Sequence, residues 1–176
     1  MQIEESQAFY VIGMPVRTNN TQEMAGNGKI GELWQEFIQW QIAGTIPQKA
    51  GNEILAVYSD YESDETGAYT YLLGVRVHSV NDVPPGLISQ HVPAGRYAAI
   101  TSEVGPVTQV VPKLWQRIWS MPAEELGGQR AFQIDYEVYG QAASNPENAQ
   151  VTVFLGLKQV PTRASSIAIP QTQSTR

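Results

Sequence analysis

Apolar side chains return at intervals of three and four residues along the segment that runs from Ile30 to Ile38. This spacing places them on one face of a helix and is the clearest helical pattern in the chain. Gly44 and Pro47 should end that helix, because glycine and proline favour helix termini. Just before it, the pattern at 20–23 has the form of a capping box and predicts a short first turn.

The same helical spacing returns between Val107 and Ile118 and predicts a second long helix. Pro112 lies within that segment. Proline lacks the amide hydrogen and crowds the preceding turn, so it should break or kink the helix or serve as the first residue of its main part.

Six further stretches are rich in β-branched and aromatic residues and predict strands. The fourth of them should bend at Pro93. With the helices, they give the order strand, helix, strand, strand, written twice. We therefore predict an α+β fold, in which the two units form one curved antiparallel sheet with two main helices and a central ligand groove. The predicted strands are 7–18, 53–61, 68–78, 88–103, 130–139 and 149–158.

The internal repeat is also visible in short motifs that occur twice in the same order. Their offsets are close to one another, at 81, 82 and 78 residues (114 − 33, 155 − 73 and 136 − 58). A duplicated unit usually packs on itself about a pseudo-two-fold axis, where a ligand groove can form. The matching segments are Leu33–Phe37 with Leu114–Ile118, Leu73–Val75 with Leu155–Leu157, and Tyr58–Tyr61 with Tyr136–Tyr139.

This repeat sets the predicted domain organisation. Residues 1–160 should form a single domain with pseudo-repeats at about 3–80 and 87–158, followed by a disordered polar tail at 161–176. The alignment places Ser59 of the first unit against Glu137 of the second, the clearest chemical difference between them. It also matches two strand glycines, Gly74 and Gly156, which should allow a close approach of backbone or ligand.

Composition excludes several classes of function. The net charge is −6, and the eleven Lys and Arg residues are scattered, which argues against direct nucleic-acid binding. There is no Cys, no signal-peptide pattern and no apolar stretch of membrane-spanning length, so we expect a soluble, cytoplasmic protein. His78 and His91 lack metal-like spacing, and there is no phosphate-binding glycine loop. No metal or cofactor is expected.

Glu137 is the sharpest candidate for a functional residue, because it lies in the middle of a predicted strand between aromatic residues. Burial would raise the pKa of this carboxyl group, and a bound cation would offset the cost of burying its charge. Aromatic faces nearby would add attraction for a cation. The alternative is an exposed strand face, because Gln133, Asp135 and Glu137 alternate with apolar residues.

The aromatic residues have a structural interpretation as well as a functional one. Trp34 and Trp115 lie on the apolar faces of the predicted helices, where a large aromatic side chain is usually part of the core. Trp40 lies off that face and suits a lid or a partner contact. Three tyrosines fit either a core or a polar pocket that binds their hydroxyl groups, namely Tyr58, Tyr71 and Tyr97.

Six short motifs follow one another along the chain, namely Val16–Asn20, Lys29–Ile30, Leu33–Phe37, Tyr71–Gly74, Pro93–Tyr97 and Asp135–Tyr139. Together with the two strand-helix-strand-strand units, these motifs resemble the GyrI-like, AraC-type effector-binding domain. The resemblance covers about residues 3–158. In that family the domain usually senses ligands within a transcription regulator, but here no helix-turn-helix segment precedes residue 7. The chain is therefore similar to stand-alone members, including integron-cassette proteins that bind cationic drugs.

The resemblance implies a pocket for amphipathic or aromatic cations, with Glu137 as the central carboxylate. It further implies a possible partner in trans, namely a transcription regulator. The other residues expected to line the pocket are Tyr58, Tyr71, Tyr97, Trp115, Trp34, Tyr139 and Phe154.

Two other functions stay open at this point. Some stand-alone relatives are hydrolases of cyclopropane-bearing aromatic compounds, for which Glu137 and Tyr97 would act as acid/base and partner. The family also includes a gyrase inhibitor, so a protein-binding role is a second alternative, for which Trp40 and the tail would be the contact features. Ligand binding without catalysis is the function that we expect.

Overall fold

The computed structural model describes residues 1–161, which form one eight-stranded sheet and five α-helices. All neighbouring strands are antiparallel, in the order β1-β6-β8-β7-β3-β4-β2-β5. The predicted α+β class with a curved antiparallel sheet is confirmed. The strands are β1 (Gln2–Ser6), β2 (Phe9–Thr18), β3 (Lys49–Ser59), β4 (Tyr69–Val77), β5 (Ile88–Val92), β6 (Gly95–Thr101), β7 (Arg130–Tyr139) and β8 (Thr152–Leu157). The helices are α1 (Asn20–Met24), α2 (Ile30–Gln39), α3 (Ile42–Thr45), α4 (Val107–Ser120) and α5 (Ala123–Leu126).

The strand order shows the duplication directly. β3 and β7 lie side by side at the centre; β4, β2 and β5 follow outward from β3, and β8, β6 and β1 follow outward from β7. β1 belongs to the first unit but pairs with β6 of the second, whereas β5 belongs to the second unit but pairs with β2 of the first. Each unit therefore places its first strand on the edge of the other.

This exchange corrects the strand predicted at 88–103. Residues on the two sides of Pro93 form separate strands in opposite halves of the sheet: β5 is one edge strand, and β6 lies next to the other edge strand, β1. The proline provides no amide hydrogen for a ladder, so pairing ends there and the chain can leave its first partner. The sequence analysis also missed β1, whose residues are mostly exposed and polar and so lack an apolar pattern.

The central ladder and the matched glycines together fix how the two units correspond. Gly74 lies opposite Leu55 and Gly156 lies against Ile134, an offset of 79 residues on the central strands (134 − 55). Val57 pairs with Tyr136, while Tyr58 pairs with Asp135 and Ala56 pairs with Glu137. A pseudo-two-fold axis between Val57 and Tyr136 therefore relates Tyr58 to Glu137, an offset of 79 residues (137 − 58).

The alignment that matched Ser59 with Glu137 is thus wrong by one residue. A shift of one residue moves every side chain of a strand to the other face of the sheet. At the correct offset, Ser59 corresponds to Val138 (138 − 59). The residue that breaks the symmetry opposite Glu137 is Tyr58.

The helices also differ from the prediction in detail. The first long helix ends at Gln39, and Gln41 has a left-handed backbone (φ 48°) that separates α2 from α3. α4 is continuous from Val107 to Ser120, so Pro112 does not break it. Packing of the α4 apolar face on the sheet outweighs the one hydrogen bond that the proline cannot donate.

The capping box predicted at 20–23 is absent. Asn19 is the N-cap of α1, and its side chain accepts a hydrogen bond from the Gln22 amide at 2.9 Å. Glu23 turns instead toward the start of α2, where it accepts from the Lys29 amide at 2.8 Å.

Both faces of the sheet are buried at its centre. α2 and α4 cover one side, here called the helix-covered face, where the larger core cluster lies. The opposite face holds a smaller cluster of buried side chains, to which Phe9, Val138 and Phe154 add partly buried ones. The members of that smaller cluster are Val11, Leu55, Val57, Leu72, Val92, Tyr97, Ile134 and Tyr136.

The matched glycines lie where strands approach each other too closely for a side chain. A Cβ atom on Gly74 would lie 2.1 Å from the Ile12 carbonyl oxygen, and one on Gly156 would lie 2.4 Å from the Ile134 carbonyl oxygen. The predicted close approach is therefore found between neighbouring strands within each half, rather than across the pseudo-two-fold axis.

Within residues 1–161, no helix is both long enough and apolar enough to cross a bilayer. The tail predicted at 161–176 lies outside the described residues from position 162 onward.

Candidate functional site

Glu137 lies on β7 beside the pseudo-two-fold axis, on the helix-covered face, and is 1% exposed. Its neighbours on the two flanking strands are Ala56 and Val153. Because these neighbours are small, they leave space for a carboxyl group in the middle of the sheet. The alternative of an exposed strand face is therefore wrong for this residue.

Three neutral donors bind the Glu137 carboxylate. The Tyr58 hydroxyl donates to Oε1 at 2.6 Å, and the Trp115 indole nitrogen donates to the same oxygen at 2.7 Å. The Tyr139 hydroxyl donates to Oε2 at 2.6 Å. None of the ion pairs among residues 1–161 includes Glu137. A buried carboxylate is thus satisfied by hydrogen bonds but has no counter-charge.

Aromatic rings enclose this carboxylate, and Tyr58 is at their centre. The centroid of its ring lies 4.9 Å from that of Trp115 and 5.1 Å from those of Tyr69 and Tyr71. In edge-to-face and tilted contacts at such distances, the electron-poor edge of one ring meets the electron-rich face of another, so the rings stabilise one another.

The second layer of the cluster comes from α2. The Trp34 indole nitrogen donates to the Tyr71 hydroxyl at 2.9 Å, and the Trp34 ring lies 4.7 Å from that of Tyr139. Trp34 of α2 and Trp115 of α4 are the helix-borne members, whereas the tyrosines project from strands. One tryptophan from each unit therefore covers the site.

A second buried carboxylate lies two residues away on the same face of β7. Asp135 is fully buried, and the Arg130 guanidinium donates to it at 2.7 Å. The Gly156 amide also donates to Asp135 at 2.8 Å, and Tyr61 donates through its hydroxyl. Two carboxylates of similar burial thus differ in one respect: Asp135 has a cation of the protein beside it, and Glu137 has none.

Burial controls the protonation of this cluster. Loss of hydration raises the pKa of Glu137 above its ordinary value of 4.5, while the hydrogen bonds from Tyr139, Tyr58 and Trp115 act in the opposite direction. Burial and the nearby carboxylate raise the pKa of Tyr58, Tyr71 and Tyr139 well above 10. The tyrosines therefore remain neutral donors while Glu137 is the group that changes charge.

Two of the residues predicted for the pocket lie elsewhere. Tyr97 is buried on the opposite face, where its hydroxyl donates to the Pro93 carbonyl oxygen at 2.8 Å. Phe154 stacks on Tyr136 on that same face, with centroids 4.7 Å apart. The structure brings together the remaining six predicted residues, which are Glu137, Tyr58, Tyr71, Tyr139, Trp34 and Trp115.

Sequence reasoning missed Tyr69, Arg130 and the burial of Asp135. One signal was available: β3 and β4 contain nearly continuous apolar runs, which indicate strands buried on both faces. Since β7 pairs with β3, its polar residues must also be covered. Arg130 lies at the start of the same strand, so it is the basic residue nearest in sequence that could pair with a buried Asp135.

Two cavities adjoin the cluster, although Glu137 lines neither. A small inner void of about 10 Å³ is bounded in part by Tyr58 and Trp115. A larger outer cavity of about 510 Å³ lies between α4, α5 and the start of β7. Glu65, Trp119 and Arg130 line both, so they form the wall that separates the two. The described residues contain no group of three or more His, Asp or Glu side chains arranged to bind a metal ion.

Comparison with known proteins agrees with this fold. The family model described as Cass2, integron-associated effector binding protein, matches residues 2–156. YobU of Bacillus subtilis, named for a proposed role as a transcriptional regulator, is 32% identical over 149 residues, which cover 84% of this chain and 91% of YobU.

Two solved structures are similar over most of their length. An integron cassette protein from the mobile metagenome of Vibrio cholerae has a TM-score of 0.69 at 27% identity, with 89% of this chain and 95% of that chain covered. SAV2435, solved bound to tetraphenylphosphonium, has a TM-score of 0.72 at 15% identity, with 89% and 93% covered. The second likeness shows a shared fold alone.

The fold is that of the GyrI-like effector-binding proteins, as the motifs of the sequence indicated. The chain belongs to the Cass2 family of integron-associated effector-binding proteins.

Proposed function

We propose that this protein binds lipophilic aromatic cations and that the Glu137 carboxylate is their counter-charge. The proposal rests on the contrast between two buried carboxylates of β7. Asp135 is buried beside Arg130, whereas Glu137 is equally buried among three neutral donors with no cation at ion-pair distance. A buried charge without a partner is costly, and a ligand cation would supply the partner that the fold omits.

The surroundings of Glu137 favour an organic cation over a hydrated ion. Tyr58, Tyr71 and Tyr139 would contact the ligand from the sheet. Trp34 and Trp115 would contact it from the helices. Each well-placed aromatic face contributes about 0.5–2 kcal/mol to cation binding, more as water is excluded. SAV2435, which shares the fold, was solved with such a cation, tetraphenylphosphonium.

The ligand must displace part of the aromatic cluster to reach Glu137, because the inner void of about 10 Å³ is far smaller than a drug-like molecule. We propose that Trp34 and Trp115 move and that the strand tyrosines stay. The two tryptophans project from helices, and each makes one indole hydrogen bond in the cluster, to Tyr71 and to Glu137 respectively. Each also makes a ring contact with a strand tyrosine, Trp34 with Tyr139 and Trp115 with Tyr58.

The hydrolase alternative loses its expected acid/base pair. Glu137 and Tyr97 lie on opposite faces of the sheet, so they do not act on one substrate in this arrangement. The family is one of effector-binding proteins, with relatives named as transcriptional regulators. Action in trans on a transcription regulator and a cytoplasmic location remain predictions.

The test is a tryptophan-fluorescence titration with tetraphenylphosphonium and with neutral triphenylphosphine oxide. Three proteins are compared: wild type, Glu137→Gln and Glu103→Gln. The last removes one negative charge from an exposed carboxylate and is the matched control for net charge. We expect saturable binding of the cation to wild type and to Glu103→Gln, with affinity at least about tenfold lower in Glu137→Gln, because opposite unit charges near 4 Å attract by roughly 4 kcal/mol at a dielectric constant of 20.

Equal affinity for the cation and the neutral oxide would remove the basis of the proposal. Affinity of Glu137→Gln within threefold of wild type would do the same.

A further inference from the structure

The outer surfaces of the two main helices carry opposite charges at equivalent positions. On α2, Glu32 and Glu36 are exposed and lie one helical turn apart. On α4, Lys113 and Arg117 are exposed with the same spacing. The offset of 81 residues between the helix motifs matches Glu32 with Lys113 (113 − 32) and Glu36 with Arg117 (117 − 36). The two units of the repeat therefore present one acidic helix surface and one basic helix surface.

The acidic surface of α2 is not neutralised within the described part of the chain. None of the ion pairs among residues 1–161 includes Glu32 or Glu36. Lys29, the basic residue nearest to them in sequence, donates instead to the Arg17 carbonyl oxygen at 3.0 Å. Like charges one turn apart on a helix repel by about 0.2–0.5 kcal/mol, so this surface would gain from an opposite charge.

The basic surface of α4 is neutralised only in part. Lys113 pairs with the exposed carboxylate of Glu103 at 2.6 Å, while no ion pair among residues 1–161 includes Arg117. Lys113 and Arg117 are also the two most closely spaced basic residues in the sequence. This surface therefore keeps a net positive charge on a protein whose net charge is −6.

An exposed tryptophan extends the acidic surface. The Trp40 amide donates to the Glu36 carbonyl oxygen at 2.9 Å, so Trp40 lies one turn beyond Glu36. Its side chain is 67% exposed, and that of the nearby Ile38 is 58% exposed. Tryptophan is among the residues most enriched at the energetic centres of protein interfaces, and its ring also attracts basic side chains. The C-terminal end of α2 thus combines apolar and acidic groups, which suits a partner with a basic surface.

We propose that this partner is a second copy of the chain, and that α2 of each copy packs against α4 of the other in a symmetric dimer. Both helices lie on the same face of the sheet and are related by the pseudo-two-fold axis, so one dimer can make the contact twice. Packing α2 on α2, or α4 on α4, would bring like charges together. Charge complementarity therefore selects the arrangement of α2 on α4.

The dimer does not depend on the cation site. Its contacts come from the outer surfaces of the helices, whereas Trp34 and Trp115 project inward from the same helices toward Glu137. The test measures molecular mass and uses no ligand, so its outcome is separate from that of the cation-binding experiment.

Sedimentation-equilibrium ultracentrifugation of wild type and two charge-reversal variants tests the proposal. The α2 variant carries Glu32→Lys and Glu36→Lys, and the α4 variant carries Lys113→Glu and Arg117→Glu. Wild type should form a dimer. Each variant alone should dimerise at least about tenfold more weakly, because both contacts then bring like charges together. An equimolar mixture of the two variants should form a heterodimer with an affinity near that of wild type, since both of its contacts again pair opposite charges.

A matched control separates this effect from net charge. Glu4→Lys with Glu53→Lys changes the net charge as the α2 variant does, but on the opposite face of the sheet. Glu4 pairs with Tyr97 of the smaller core cluster, and Glu53 lies two residues before Leu55 of that cluster. This control should dimerise as wild type does.

Trp40→Ala tests the apolar part of the interface. The side chain is mostly exposed, so its loss should not unfold the protein, but it should weaken the dimer at least about tenfold. Three results would overturn the proposal: a wild type that stays monomeric up to its highest soluble concentration, helix variants that dimerise as tightly as wild type, or a mixture of the two variants that does not associate.

Discussion

The Tyr58 hydroxyl donates a 2.6 Å hydrogen bond to Glu137, the residue that occupies its own position in the other half of the molecule. The two residues flank the pseudo-two-fold axis on the central strands. Replacing one member of a symmetric pair by a carboxylate therefore yields a donor and an acceptor that face each other. The duplicated scaffold therefore holds a buried carboxylate without a counter-charge at a single asymmetric position.

The Tyr58–Glu137 hydrogen bond should depend on the ionisation of Glu137. Tyr58→Phe should lower the free energy of unfolding by about 1.5–3 kcal/mol when the carboxyl group is charged, and by about 0.5–1.5 kcal/mol when it is protonated. Urea denaturation at pH 8 and at a pH below 4.5 measures both values.

Tyr97→Phe is the matched control for that experiment, because it removes a hydroxyl group that donates to the Pro93 carbonyl oxygen on the opposite face. Its cost should be similar at both pH values. A Tyr58→Phe cost that does not increase with pH would show that the hydrogen bond is not made to a carboxylate.

Gly74→Ala should destabilise the sheet strongly, since the new Cβ atom would lie 2.1 Å from the Ile12 carbonyl oxygen. Backbone must move to relieve that contact, so we expect a loss of about 1–3 kcal/mol or more in the free energy of unfolding. Gly51→Ala, where a Cβ would meet nothing within 4 Å, is the control and should be close to neutral. Thermal or urea denaturation compares the two, and a similar small effect in both would contradict the close packing of β2 on β4.

Much of this architecture follows from pattern. The periodicity around Ile30 and Val107 located the two main helices, and the repeated motifs indicated the two units. The position of Glu137 between aromatic residues pointed to the carboxylate that the structure buries within the aromatic cluster.

The faces of the strands could not be predicted in the same way. In a sheet covered on both sides, apolar and polar residues no longer mark inside and outside, so Tyr97 and Phe154 looked equivalent to Tyr58 and Tyr139. The repeat motifs around Tyr58 and Tyr136 were aligned at an offset of 78 instead of 79 for the same reason. A one-residue slip exchanges the faces of a strand, and the pattern of apolar and polar residues did not show which face was which. The exchange of β1 and β5 between units depends on long-range pairing that local sequence does not encode.

The Arg130–Asp135 pair should behave as a buried ion pair. Arg130→Met leaves Asp135 charged and unpaired, so we expect a loss of about 3–5 kcal/mol in the free energy of unfolding. Adding Asp135→Asn should recover part of that loss, because the amide can still accept from the Gly156 amide.

A double-mutant cycle by urea denaturation measures the coupling between these two residues. Lys113→Met, which breaks the exposed pair with Glu103, is the comparison and should have a much smaller effect. Additive effects of Arg130→Met and Asp135→Asn would mean that the two side chains do not act as a pair.

Glu137 should also make stability depend on pH in the direction opposite to most carboxylates. Its pKa is raised by burial, so the folded state holds the proton more tightly than the unfolded state does. The favourable contribution is fully present below pH 4.5 and is lost as pH rises through the raised pKa. The difference in unfolding free energy between wild type and Glu137→Gln should accordingly move against wild type as pH increases. A difference that stays constant from below pH 4.5 to pH 8 would contradict a raised pKa.

The affinity for a cation should increase with pH, opposite to the contribution of Glu137 to stability, because the ligand requires the charged carboxylate. Below the raised pKa of Glu137, binding of tetraphenylphosphonium must release one proton, so its affinity should increase by up to about tenfold per pH unit and then level off. Calorimetric titrations in two buffers of different protonation enthalpy measure the released proton directly. Glu137→Gln should bind weakly at every pH and release no proton.

The buried tyrosines of the cluster cannot supply this proton, since burial raises the pKa of Tyr58, Tyr71 and Tyr139 well above 10. Proton release that persists in Glu137→Gln would therefore assign the titrating group, and with it the cation site, to another part of the molecule.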